Sequence, residues 1–115
     1  MSDMDLMVSV ETMPRVDLIK VQGRIDSSSA NDFEKQLTDI TENDRYNLIV
    51  NLSGVSYMSS AGLRTLVKVK KACSKGRGDL RISAPSTRVK EVLDLAGLTS
   101  IFSTFDNDTT AVGSF

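Results

Sequence analysis

The most informative stretch of this sequence runs from Asn51 to Leu66 and reads NLSGVSYMSSAGLRTL. It begins as the end of an apolar strand, passes through a segment rich in serine and glycine that predicts a turn, and enters an amphipathic helix. Ser59 and Ser60 fall where that helix begins, beside backbone N–H groups that have no partner within a helix. A hydroxyl at such a position either caps the helix or accepts a phosphate.

The composition of the 115-residue chain argues against several classes of function. A net charge of −1 argues against a dedicated nucleic-acid binder, which would carry a basic stripe. The sequence contains no histidine and a single cysteine, Cys73, so it lacks the commonest general base, a cysteine cluster for a metal and an internal disulfide. We therefore expect a protein that is not an enzyme and that needs no metal or cofactor, with Cys73 as a half-buried packing residue on a helix.

Length and hydropathy predict a single domain over residues 1–115. The apolar runs are far too short to span a bilayer, and the start of the chain lacks the basic-then-apolar pattern of a signal peptide. These features predict a cytoplasmic protein.

On the N-terminal side of the quoted stretch, the pattern predicts a β-hairpin followed by a helix. An edge strand is expected within Met4 to Met13 and a second strand over Val16 to Val21, with a proline in the turn between them. Residues 22–26 are expected to leave the sheet. The serines at 27–29 then offer N-caps for a helix that runs to about Thr41, with one apolar face formed by Ala30, Phe33, Leu37 and Ile40.

Further along, the contiguous apolar residues within Tyr46 to Asn51 predict a central strand covered on both faces. The remaining elements are expected in this order: a helix over Ser60 to Ser74, stopped by Gly76 and Gly78; a strand over Asp79 to Ser83; a helix over Ser86 to Ala96, with Gly97 as its C-cap; a short strand at Ile101 and Phe102; and a weak helix within Asp106 to Phe115, capped by Asp106 or Asp108. This order predicts an α/β fold, a mixed four- to five-stranded sheet with an N-terminal β-hairpin, covered by three to four helices.

The stretch from Asn51 to Leu63 resembles the signature of the STAS domain, as found in bacterial anti-sigma factor antagonists. In that family a strand that ends in Asp-Leu or Asn-Leu leads through a loop into Asp-Ser-Ser-Gly-Leu or a close variant. Three further segments resemble the family in the right order, so that the resemblance covers essentially the whole chain: Gly23 to Asp26, Arg81 to Pro85, and Val92 to Leu98. The resemblance implies the STAS fold.

The resemblance also implies a phosphorylated serine. In the family, the phosphorylated residue directly follows the aspartate of the signature. Ser59 stands at the aspartate position here, so Ser60 is the matching phosphoacceptor. Because a hydroxyl replaces the carboxylate, Ser59 stays open as the alternative acceptor.

The mechanism that the resemblance implies is partner switching. The unmodified protein, a monomer, would bind a Bergerat-type ATP-binding serine kinase that doubles as an anti-sigma factor, and phosphorylation would release it. A metal-dependent serine phosphatase would reverse the modification, and no direct contact with nucleic acid or a membrane is expected. The partner-binding surface is predicted to comprise Arg24, Asp26, Ser59, Ser60, Gly62, Leu63 and Val67.

Other interpretations of the same residues stay open. The two serines can be helix caps only, in a STAS scaffold of a sensory or lipid-transport complex, and a small-molecule or nucleotide-binding regulator is a further alternative. Asp26 can equally be a turn carboxylate that caps the following helix, and Arg24 a solvated charge. Basic residues near the end of the second helix suit the negative end of its dipole better than a nucleic-acid site: Lys68, Lys70, Lys71, Lys75 and Arg77.

Overall fold

After an initial pair of strands, strands and helices alternate along residues 6–115, the part of the chain that the computed structural model describes. The strands are β1 (Met7–Thr12), β2 (Asp17–Ile25), β3 (Asn47–Met58), β4 (Asp79–Ser83) and β5 (Thr104–Phe105). The helices are α1 (Ala30–Thr41), α2 (Ser60–Lys75), α3 (Thr87–Leu95) and α4 (Asp108–Gly113), with a 3₁₀ turn at Thr99–Ile101. The predicted order of elements is confirmed. The start of the first predicted strand, at Met4, lies outside the described residues.

The strands form one five-stranded sheet in the order β1-β2-β3-β4-β5. β1 and β2 pair antiparallel as a hairpin, with Val10 opposite Ile19, and the later pairings are parallel, with Ile19 beside Val50 and Val50 beside Ile82. Parallel neighbours need long crossover connections, which contain α1, α2 and α3. The prediction of a mixed sheet with an N-terminal hairpin is confirmed.

The sheet is covered on both faces, which explains the contiguous apolar run in β3. Leu48 and Val50 belong to the main core, together with residues of α1, α2 and α3. Ile49 points to the other face, where it packs in a smaller cluster with Ala111 of α4. Successive strand residues face opposite sides, so a strand buried on both sides needs apolar residues at consecutive positions. Among the described residues, no helix is long and apolar enough to cross a membrane.

The segment predicted to be a turn, between Ser53 and Met58, is the second half of β3. β2 also continues to Ile25 instead of leaving the sheet, because these two extensions pair with each other in parallel. The register shifts twice along this pairing, and a Cβ at Gly54 would lie only 2.7 Å from Gln22 Cγ. The glycine therefore permits close approach at an irregular strand pair, and its turn-like composition was a misleading local signal.

The C-terminal elements differ from the prediction in detail. Ile101 ends the 3₁₀ turn and Phe102 is a buried anchor, so the last strand begins at Thr104 instead. The final helix is capped by Asn107, whose side chain accepts a hydrogen bond from the backbone N–H of Thr110. Neither Asp106 nor Asp108 is the cap. Asp108 is instead the first helical residue, and its carboxylate accepts hydrogen bonds from Asn51 and Ser83.

The other helix ends are close to those predicted. α2 extends one residue further than expected, to Lys75, and α3 is capped by the side chain of Ser86, which accepts from the N–H of Val89. Gly97 follows the C-cap Ala96 and adopts a φ of 71°, the left-handed conformation that commonly terminates a helix.

A partly buried ion pair that the sequence pattern did not indicate holds the β1–β2 hairpin against the start of β3. The Asp17 carboxylate is 3% exposed and lies 2.8 Å from Nε of Arg45. The same guanidinium donates to the backbone carbonyls of Met13 and Pro14 in the hairpin turn. One arginine therefore neutralises a buried charge and satisfies the turn.

Candidate functional site: the start of α2 and the ends of β2 and β3

The predicted site residues come together at the carboxyl ends of β2 and β3. The backbone N–H of Ser59 donates to the carbonyl of Ile25 over 2.8 Å, which fixes the start of α2 beside the end of β2. Arg24 and Asp26 flank Ile25 on one side of this bond, and Ser60 follows on the other. Carboxyl ends of parallel strands meet at one edge of a sheet, the usual place for a functional site in an α/β fold.

Ser59 is the N-cap of α2. Its backbone is extended, with φ −86° and ψ 171°, and its hydroxyl accepts a hydrogen bond of 3.3 Å from the N–H of Gly62. Its carbonyl accepts from the N–H of Leu63 over 3.1 Å, the first hydrogen bond of the helix. The side chain is half-buried and is used to satisfy a helix end, which is the ordinary structural role of a serine at this position.

Ser60 is the first residue within α2, and it differs from Ser59 in exposure and hydrogen bonding. It is exposed, and its hydroxyl forms no hydrogen bond with any of the residues 6–115. The first turn contains no acidic side chain, so nothing on α2 offsets the positive end of the helix dipole there. Ser60 thus presents a free hydroxyl at a position that stabilises negative charge.

Gly62 and Leu63 face inward, although both were predicted to contact a partner. A Cβ at Gly62 would lie 2.5 Å from Sδ of Met58 and 2.7 Å from Cγ2 of Ile25, so only glycine lets the helix approach the strand ends this closely. Leu63 is 8% exposed and belongs to the main core. Of the predicted apolar contacts, Val67 is the more accessible, because it is half-buried at the edge of that core.

Asp26 organises the turn between β2 and α1. Its Oδ1 accepts from the hydroxyl of Ser28 at 2.7 Å and from the N–H groups of Ser28 at 3.0 Å and Ser29 at 3.2 Å. The hydrogen bond from the Ser28 hydroxyl is the largest cause that holds the pKa of the Asp26 carboxyl below its ordinary value. Asp26 is therefore a turn carboxylate, but the predicted capping of the following helix is wrong: its partners precede α1, and the N-cap residue Ser29 makes no side-chain cap hydrogen bond either.

Arg24 is not a solvated charge only. Its guanidinium lies over the ring of Tyr57, 4.4 Å from the centroid, and its Nε lies 3.7 Å from Oδ2 of Asp26. The sequence pattern gives no indication of a role for Tyr57, because the composition of its segment predicts a turn. An aromatic residue three positions before the phosphoacceptor candidate was the available signal. Its side chain is 36% exposed, which makes it part of the accessible surface.

The arrangement leaves Ser60 as an exposed hydroxyl at the start of α2. Among the described residues, no group of histidine, cysteine or carboxylate side chains could hold a metal ion. No side chain of these residues forms a hydrogen bond with the Ser60 hydroxyl, so Ser60 has no adjacent general base among residues 6–115.

Comparisons with known proteins agree with this fold. The family model described as the STAS domain matches residues 7–111. An anti-sigma-B factor antagonist of Staphylococcus aureus is 30% identical over 95 residues, which cover 83% of this chain and 88% of that protein. Both findings concern nearly the whole length of the sequence.

The fold also resembles that of several solved structures. An anti-sigma factor antagonist from Mycobacterium paratuberculosis superposes with a TM-score of 0.88 at 22% identity, over 98% of this chain and 96% of that one. The Bacillus cell fate determinant SpoIIAA, solved in its phosphorylated form, superposes with a TM-score of 0.75 at 16% identity, over 94% and 98% of the two chains. The sheet order, the family model and the Staphylococcus aureus relative together identify this chain as a member of the STAS domain family.

Proposed function

We propose that this protein is an anti-sigma factor antagonist that is switched by phosphorylation of Ser60. The names of the relatives support the functional class, since the Staphylococcus aureus protein is an anti-sigma-B factor antagonist. The phosphorylated form of SpoIIAA supports modification as the switch. In this proposal the chain is a single-domain, monomeric, cytoplasmic binding protein and a kinase substrate, and it has no catalytic activity of its own.

The observation that carries the proposal is the separation of roles between the two serines. Ser59 already uses its hydroxyl to cap α2, whereas Ser60 is exposed and makes no hydrogen bond with the described residues. Phosphorylation of Ser59 would remove a cap from a half-buried position, while phosphorylation of Ser60 would break no hydrogen bond of its hydroxyl within residues 6–115. This favours Ser60 as the acceptor.

The mechanism is electrostatic. A phosphate adds about −1.5 to −2 charges at pH 7, at the same edge of the sheet that carries Arg24, Asp26 and Tyr57. Within the protein, the helix dipole stabilises this negative charge by about 1 kcal/mol. Burial of the same phosphate against a partner strips its water, and a net cost of about 3 kcal/mol lowers affinity more than about a hundredfold. The partner is thereby released while the fold is preserved.

The proposed partner is a Bergerat-type ATP-binding serine kinase that also acts as the anti-sigma factor. It binds the unphosphorylated antagonist and so frees the sigma factor. A metal-dependent serine phosphatase resets the antagonist. Neither nucleic acid nor a membrane takes part directly.

The first test is intact-mass and fragment mass spectrometry of the protein purified from its native host, beside the Ser60→Ala and Ser59→Ala variants. We expect a fraction of the unmodified sequence to be heavier by one phosphoryl group localised to Ser60. Ser59→Ala should retain the modification and Ser60→Ala should lose it. Phosphate on Ser59 would reassign the acceptor from Ser60 to Ser59. Absence of any phosphate from all three proteins under every growth condition would refute the switch.

A further inference from the structure

A groove runs along α2 on the side of α3 and the 3₁₀ turn, and Ser60 is one of its lining residues. Its volume is about 1300 Å³. The apolar part of its lining comes from both sides of the groove: Leu63, Val67, Ala72, Ala96, Leu98 and Ile101. Ile101 is 41% exposed, which is high for an isoleucine.

The rim of this groove is basic. Arg64, Lys68, Lys70, Lys71 and Lys75 line it, and no carboxylate does. Lys68 pairs with Glu34 and Lys70 with Asp79, whereas the other three cations form no ion pair within residues 6–115. In a chain with a net charge of −1, this is a local concentration of uncompensated positive charge.

We propose that the α2–α3 groove binds an acidic amphipathic helix of the partner protein. The apolar floor matches one aliphatic face, and the three unpaired cations match carboxylates that flank it. This inference rests on the proposed function, because the helix belongs to the protein that the antagonist captures. It adds a second contact, outside the surface around Tyr57 and Asp26, and it specifies the chemistry of what is recognised there.

A helix fits the groove better than an extended segment, because a helix satisfies its backbone hydrogen bonds internally. An added strand needs free backbone groups along the groove, but the α2 wall presents side chains. On the other wall, the N–H groups of Gly97, Leu98 and Ile101 already donate to carbonyls of Asp94, Leu93 and Leu98. A helix satisfies its own backbone, and α2, with 16 residues and a length of about 24 Å, offers room for about four turns.

Arg64 connects this groove with the phosphorylation switch. It is exposed and lies one helical turn after Ser60, a spacing at which side chains of a helix meet. A phosphate on Ser60 attracts this guanidinium and neutralises it. Phosphorylation therefore also removes one of the three cations that attract the acidic helix.

The test uses the full chain, labelled with ¹⁵N, and a defined probe. The probe is a capped 16-residue helical peptide with leucines along one face and glutamates on both flanks; its matched control has lysines in place of the glutamates. We expect the glutamate peptide to shift the amide signals of Leu63, Val67 and Leu98, and the lysine peptide to bind at least about tenfold more weakly. The double substitution Lys71→Glu and Lys75→Glu should weaken the glutamate peptide by a similar factor. Lys90→Glu, on α3 outside the groove, should leave its affinity unchanged.

Three results would overturn the inference: no binding of the glutamate peptide, equal binding of both peptides, or shifts confined to another surface. Vesicles of anionic phospholipid serve as a further arm, and binding of vesicles but not of the peptide would assign the groove to a lipid surface instead.

Failure of the proposed function is a separate outcome. If Ser60 is never phosphorylated and the peptide still binds, the switch is refuted and the groove stands; if Ser60 is phosphorylated and the peptide does not bind, only the groove is refuted.

Discussion

At the start of α2, two neighbouring hydroxyls differ in what they contribute to stability. Ser59 caps the helix, so Ser59→Ala should lower the free energy of unfolding by about 1 kcal/mol. Ser60 makes no hydrogen bond with the described residues, and Ser60→Ala should change it by less than about 0.5 kcal/mol. Urea denaturation of both variants measures the difference. Equal losses would mean that the capping role is shared, which would weaken the assignment of Ser60 as the acceptor.

Cys73 is fully buried in α2, more deeply than its half-buried prediction. Burial, aided by the nearby Asp79 carboxylate, raises the pKa of the thiol to about 12 from an ordinary value of 9.0. Above pH 9 the unfolded chain loses this proton and the folded protein keeps it, so the folded state is progressively disfavoured as pH rises.

Because of Cys73, the free energy of unfolding is expected to fall by at most about 1.4 kcal/mol per pH unit above pH 9. No such fall is expected below pH 9. Urea denaturation at several pH values, for the natural sequence and for Cys73→Ala, measures this slope. Ionisation of lysines and tyrosines that do not interact with the thiol affects both proteins alike, so the difference between the two curves reports the thiol together with its electrostatic coupling to Tyr46 and Lys70. Parallel curves would show that the folded thiol ionises as freely as the unfolded one.

At the scale of elements, the contact between α2 and the strand ends depends on Gly62. Alanine would favour the helix by about 1 kcal/mol, but its Cβ would press on Ile25, whose branched side chain cannot easily move. Overpacking of this kind costs about 1–3 kcal/mol, so we expect a net loss of stability for Gly62→Ala. Gly113→Ala, where a Cβ meets nothing within 4 Å, is the control and should be nearly neutral. A stabilised Gly62→Ala protein would contradict the tight packing.

The hairpin is held by the Asp17–Arg45 pair, and removing one partner should be costly. Arg45→Ala leaves a carboxylate that is 3% exposed without its cation, so we expect a loss of about 3–5 kcal/mol. Asp17→Asn combined with Arg45→Ala should cost less than the sum of the two single substitutions, because the stranded charge is gone. Thermal or urea unfolding of the three variants completes the cycle, and strict additivity would argue against the ion pair.

For the whole molecule, the proposed switch should act on binding and leave the fold unchanged. Ser60→Glu should keep the melting temperature within a few degrees of the natural protein, since the new charge lies at a helix N-terminus. We expect it to weaken binding of the cognate kinase at least about tenfold, less than a true phosphate would. Calorimetric titration measures the affinity.

The matched control for that charge is Thr109→Glu, an exposed position near the start of α4 on the opposite face of the sheet. It should leave kinase binding intact. Equal weakening by both substitutions would point to net charge as the cause and would remove the special role of Ser60.

Most of the fold was accessible from the sequence, since periodicity reports which faces are buried. The run Leu48 to Val50 correctly indicated a strand covered on both sides. The segment Ser53 to Met58 was missed because its strand character comes from pairing with residues 22–25, a contact distant in sequence, while its own composition is that of a turn.

The site was predicted less completely. Sequence located Ser59 and Ser60 at a helix start, but either could have been the cap, because the choice depends on where the backbone enters the helix. The stacking of Arg24 on Tyr57 follows from the strand register, which puts these two residues side by side. No local pattern encodes that register.

The order of strands in the sheet has a consequence for how the chain folds. Because neighbours in the sheet are also neighbours along the chain, no strand has to be inserted between two that are already paired. A chain emerging from the ribosome can therefore extend the sheet at one growing edge, from the β1–β2 hairpin onward. The last strand to arrive, β5, covers the edge of β4 with two residues, and α4 then closes the second face.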